Sequence, residues 1–290
     1  MLNRLWRLAL GPLGVAGLLL IGPALADDFN STRITSLKNG DTVNTGTTPG
    51  TNHPVAGHGL YARGTTVDAP GNNTITTGGG SAHGIFLNSG PFGSGPVPVA
   101  PSSSTATGTI IHTTGDIAAG LFVETATGGT ATTTLTGVII TTKGQQADGV
   151  RVDTSSFGGT ATVGVTGSSI TTDGDKQAIG VFASGAGTTV TITDTTISTP
   201  TYTAILGQLG SKITVSGQSH ITGQVLADGG GSVGIGDGVV VETRVDQLEA
   251  LSVSYGGILP VDAASVSTAG AGSPACAWKG EVLPPSLARN

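Results

Sequence analysis

The chain has 290 residues, 49 of them glycine, with 10% charged and 4% aromatic residues and a net charge of −6. Twelve Lys and Arg with no basic stripe leave no electrostatic footprint for a phosphate backbone, so no nucleic-acid partner is expected. A single cysteine, Cys276, excludes an intrachain disulfide framework. The 37% hydrophobic content, with Val, Ile and Thr in short runs, predicts a folded and mostly β chain rather than a disordered one.

At the N-terminus, Arg4 and Arg7 precede an apolar stretch from Leu8 to Gly22, and Ala24-Leu25-Ala26 precedes Asp27. This pattern predicts a secretory signal peptide over 1–26, cleaved between Ala26 and Asp27. A membrane anchor fits less well, because Gly11, Pro12, Gly14 and Gly17 weaken the apolar run. Residues 27–50 are expected to form an N-terminal cap.

From 51 to 255 the sequence repeats. A glycine recurs at Gly59, Gly84, Gly120, Gly149 and Gly180, with Ala204 as a degraded copy. A second phrase travels with it: "TATTTLTGVIITT" at 130–142, "TATVGVTGSSITT" at 160–172 and "TTVTITDTTISTP" at 188–200 alternate Thr with aliphatic residues before a turn and a final Ile. Each unit holds three short strands, and units of uneven length that bury their aliphatic face only by stacking predict a solenoid. The expected fold is all-β, a right-handed parallel β-helix of about eight rungs with about 4.8 Å between them. Residues 88–105, "NSGPFGSGPVPVAPSSST", are rich in Pro, Gly and Ser and are expected to leave the coil as a loop.

After each recurring glycine, Leu60, Ile85, Leu121, Val150, Val181 and Ile205 stand first, and Ala62, Leu87, Val123, Val152, Ala183 and Gly207 third. Strand alternation puts both sets on one inward face. The middle residues, Tyr61, Phe86, Phe122, Arg151 and Phe182, then form a column on the opposite face. Such a column is a candidate binding ladder for sugar rings or a hydrophobic partner, although stacking for stability alone also explains repeated rings, and Arg151 interrupts it.

Catalytic chemistry is harder to find. Polysaccharide-cutting β-helices place carboxylates and a basic residue on successive rungs. Here Asp148, Asp153, Asp173 and Asp175 come nearest and read as solvated turn aspartates. His58 and His83 both precede a recurring glycine and would stack, but without a third ligand they assign no metal site. His53, His112 and His220 have no ligand spacing, and "DGGGSVGIGDG" at 228–238 lacks the repetition of a calcium β-roll. No catalytic residue and no cofactor is expected.

The segments "SAHGIFL", "QADGVRV", "QAIGVFA" and "TATVGVTGSSITTDG" resemble the pertactin-like passenger domains of Gram-negative autotransporters, over roughly residues 30–250. The segment "VDQLEALSVS" at 245–254 is similar to the stretch just after the repeats in such proteins. The resemblance implies a β-helix displayed at the cell surface or released, an adhesin or virulence-associated factor without a cofactor. Its partners would be a host-cell or extracellular-matrix surface or another bacterial surface component. That family also carries a C-terminal outer-membrane barrel, which has no counterpart in this sequence. The tail at 256–290, with Cys276 and a Trp, shows no strand alternation and is expected to be irregular. The expectation is a truncated passenger, exported to the periplasm and reaching the surface only with a translocator. The alternatives are a β-helix polysaccharide lyase or hydrolase, and a non-functional remnant.

Overall fold

The computed structural model describes residues 37–45, 57–89, 100–156, 158–173 and 177–279. The signal peptide, the cleavage site at Ala26 and Asp27, His53, Asp175 and most of the proline-rich segment lie outside them.

All regular structure among the described residues is β, and every strand pairing is parallel. The strands stack as three walls of a solenoid. The first wall follows the recurring glycines, with Leu60–Arg63, Ile85–Ser89, Leu121–Thr125, Val150–Asp153 and Val181–Ser184 in register. The second wall is a seven-stranded sheet running from Thr66–Ala69 through Ser102–Thr107, Thr130–Thr136, Thr160–Thr166, Thr188–Thr193 and Lys212–Ser216 to Ser232–Ile235. The third begins at Thr42–Asn44 and continues through Thr74–Thr77, Ile110–Thr113, Ile139–Thr142 and Ser169–Thr172. Thr196–Gln208 and His220–Ala227 then run from the third wall into the first without a break, joining the two into one sheet.

Alternation drives the core. Thr130–Thr136 reads exposed-buried throughout, with Ala131, Thr133 and Leu135 inside. In the third wall Ile75, Ile111, Ile140, Ile170, Ile197 and Ile221 stack on one another, all at 0–1% exposure. Burying each such side chain stabilises by about 1.5–3 kcal/mol, but only when the neighbouring coil is in place.

The recurring glycine is explained by crowding. A Cβ at Gly59, Gly84, Gly120 or Gly149 would collide with Cγ2 of Ile75, Ile111, Ile140 or Ile170, the stacked isoleucine of the adjoining third wall. At Ala204, where a Cβ is present, the pairing of Thr196–Gln208 with His220–Ala227 slips in register.

Two expected boundaries move. Ser102–Thr107 is a second-wall strand and not part of a loop, and Asn88 and Ser89 belong to the first wall. Ser102 and Ser104 of that second-wall strand point inward and find partners: Ser102 Oγ donates to Asn88 O at 2.7 Å and Ser104 Oγ to Thr133 Oγ1 at 3.1 Å. Hydroxyls satisfied in this way cost little to bury, so serine density misleads as a loop signal. The stretch after 255 is also not irregular throughout. Ser265–Thr268 pairs with Val240–Thr243 and Cys276–Lys279 with Leu251–Ser254. Ahead of these strands the second wall continues only as isolated bridges at Ile258 and Val261, around Pro260, which has no N–H to give the ladder.

Candidate functional site

Strand register brings the five predicted ladder residues together. Tyr61 packs on Phe86 with centroids 5.3 Å apart, and Phe86 stacks on Phe122 at 5.1 Å and 7°. Arg151 continues the column instead of interrupting it. Its guanidinium carbon lies 4.4 Å from the Phe182 ring centre and 5.9 Å from that of Phe122, a cation between two aromatic faces. Phe86 and Phe182 are each only 6% exposed, so the surface of the column is made by Tyr61, Phe122 and Arg151.

Behind the column runs a second ladder, at the position just before each recurring glycine. His83 N–H donates to His58 Nδ1 at 3.1 Å, and Ala119 N–H to His83 Nδ1 at 3.0 Å. Ile179 N–H donates to Asp148 Oδ1 at 2.9 Å. Further along, Gln224 Nε2 donates to Glu249 Oε2 at 3.0 Å. In the histidine and aspartate rungs, a side chain of one coil thus accepts a main-chain donor of the next. Both imidazoles must be unprotonated at Nδ1 to do this, which places the neutral ring's proton on Nε2. The His58 and His83 rings lie 5.1 Å apart and 3° from parallel, so corresponding nitrogens point along parallel lines and do not converge on one ion.

Electrostatics follow from burial. His83 is held well below the usual 6.5 by desolvation, then by His58 and Arg151. Asp148 is pushed up to about 6 by burial, against the lowering effect of the Arg151 charge and the Ile179 N–H. It is 2% exposed and paired to Arg151 at 3.0 Å, so it is not the solvated turn residue its sequence context predicts. Asp153 does face outward, accepting from Ser155 N–H at 2.9 Å and lying 3.8 Å from Arg151. Asp173 sits apart, at the end of a third-wall strand.

Glu124 was missed from the sequence. Register puts it directly beside Asp153, and it accepts from Asn88 Nδ2 at 3.2 Å. Burial raises its pKa, then the Asp153 charge, while Arg151 lowers it. The fourth residue of each first-wall strand was the available signal: Arg63, Asn88, Glu124 and Asp153 form a polar rim beside the aromatic column. Tyr61 on the same wall has its phenol pushed up to about 12, by burial first and by Glu124, against Arg63.

Of the remaining histidines, His112 lies in the third wall and His220 Nε2 sits 3.3 Å from Glu242 Oε1. The glycine-rich stretch at 228–238 is a corner, the strand Ser232–Ile235 and a second corner. Among the described residues no group of three or more His, Cys, Asp or Glu is placed to hold a metal ion. No family model, no curated protein and no solved structure matches the chain.

Proposed function

We propose that this chain is an exported, non-catalytic solenoid of the autotransporter-passenger type, a surface-displayed or secreted adhesin that binds through its first wall. The observation carrying this reading is the unbroken column from Tyr61 to Phe182, with its polar rim, across five successive coils. Partly exposed rings beside a guanidinium and paired carboxylates suit a glycan or a peptide on a cell or matrix surface. The Arg/Ala-x-Ala leader supports export. The test is binding of the purified chain to immobilised matrix proteins, glycans and whole cells, alongside Phe122→Ala and Arg151→Ala. Saturable binding lost in both variants supports the reading, and no binding by folded protein overturns it.

A second reading is favoured by Glu124, Asp148 and Asp153 gathered around Arg151 on adjacent coils. Carboxylates with a basic residue on successive rungs are what a polysaccharide lyase or hydrolase needs. Turnover of acidic polysaccharides that disappears in Glu124→Gln would establish it in place of the first.

A further inference from the structure

The second wall presents an ordered surface that the first-wall reading does not use. Its strands pair one to one from Ser102–Thr107 to Lys212–Ser216 without a slip in register. Outward threonines therefore line up from coil to coil. Thr132, Thr162 and Thr189 form one rank, and Thr107, Thr136 and Thr166 another, all exposed. Between these ranks, exposed Thr134 and Thr191 flank Gly164.

Threonine suits a rigid array, because branching at Cβ restricts χ1 and every site presents one hydroxyl and one methyl in a repeated attitude. The grid measures about 4.8 Å between coils and about 6.7 Å along a strand. Ordered water has comparable repeats: with hydrogen-bonded oxygens about 2.75 Å apart, tetrahedral geometry sets rows about 4.5 Å apart in one direction and about 7.3 Å in the perpendicular one. From Ser103 to Thr193 the outward residues of this wall carry no charge, and Asp68 and Lys212 flank this stretch on the adjoining strands. The complement of such a face is a neutral lattice of hydroxyl groups. These ranks hold no aromatic side chain to stack on a sugar ring, which favours water over a crystalline glucan.

We infer that the threonine face of the second wall binds the surface of ice. Hydroxyls anchor waters at lattice spacing and the methyl groups between them hold those waters in place. Gly164 is the gap in this array, and a Cβ placed there meets nothing closer than Thr133 O at 4.0 Å.

The test uses the purified full chain, its fold checked by circular dichroism, in ice-crystal shaping and recrystallisation assays. Wild type is expected to facet crystals and suppress recrystallisation, Thr162→Lys to lose both effects, and Gly164→Thr to strengthen them by filling the middle rank. Tyr255→Lys, at an 85% exposed corner position in the coils beyond Lys212, should match wild type. Absence of crystal shaping by folded wild type overturns the inference, and so does Thr162→Lys behaving as wild type. Retention on crystalline cellulose, or a dimer in sedimentation, that is lost in Thr162→Lys while ice is unaffected also overturns it, by assigning the face to another occupant.

Discussion

His83 and Asp148 occupy the same position of the coil two coils apart, and each accepts a backbone N–H from the next coil along. One is a base kept neutral and the other an acid whose charge is opposed by burial, so the ladder joining the coils responds to pH in two opposite senses.

For His83 the folded pKa lies below the unfolded 6.5. The unfolded chain therefore takes up the proton first as pH falls, and the stability His83 contributes, complete above 6.5, declines as pH drops toward its folded pKa. Protonation also removes the acceptor for Ala119 N–H. Relative to the intrinsic exchange rate at each pH, the Ala119 amide should lose protection as pH falls well below 6.5, and His83→Asn, whose carbonyl oxygen accepts as Asp148 does, should flatten that dependence. Unchanged protection as the pH is lowered would refute the role given to Nδ1.

Asp148 has the reverse sign. Its folded pKa of about 6 exceeds the ordinary 3.8, so its favourable contribution is complete below 3.8 and is lost as pH rises through about 6. At pH 7.5, Asp148→Asn should match or exceed wild-type stability, since the amide oxygen still accepts from Ile179 and Arg151 remains partly solvated. Asp148→Ala leaves that buried N–H unpaired and should cost about 1–3 kcal/mol. Chemical denaturation of the two variants at pH 7.5 and 5 separates the hydrogen bond from the charge.

Much of this was legible in the sequence, because period-2 alternation and recurring glycines are direct records of packing. The column from Tyr61 to Phe182 and the stacking of His58 on His83 were readable by aligning repeats, as were the inward Leu, Val and Ile ranks. What was not readable depended on satisfaction of polar groups. Ser102 and Ser104 look like loop residues until their inward partners are known, and Asp148 looks solvated until Ile179 and Arg151 enclose it. Glu124 carries no signal alone, since only register sets it beside Asp153. The coil beyond residue 255 was hidden by Pro260 and a change of composition.

The recurring glycines make a packing prediction. Gly120→Ala drives a methyl group into Ile140 Cγ2 and toward Gly149 O, and should destabilise by about 1–3 kcal/mol as overpacking does. Ile140→Leu removes the Cβ branch that makes the collision. The double variant should therefore be more stable than the sum of the single effects predicts, a coupling readable from a denaturation cycle. Strict additivity would place the cost in backbone entropy instead.

The corners from third wall to first make the sharpest contrast between repeats. Thr77, Thr113, Thr142 and Thr268 each donate a side-chain hydroxyl to the carbonyl five residues on, at 2.6, 2.9, 2.6 and 2.9 Å respectively. The corner after Thr172 has one residue more, because Ala178 stands six residues on where Ala147 stands five beyond Thr142. There the buried Thr172 Oγ1 has no hydrogen-bond partner among the described residues. Thr142→Val, nearly isosteric, removes the donor to Ala147 O and should cost about 1–3 kcal/mol. Thr172→Val exchanges an unsatisfied hydroxyl for a methyl at the same depth and should be neutral or stabilising. Melting temperatures of the two variants decide the point: equal losses would mean that the hydroxyls act through something other than the corner bond.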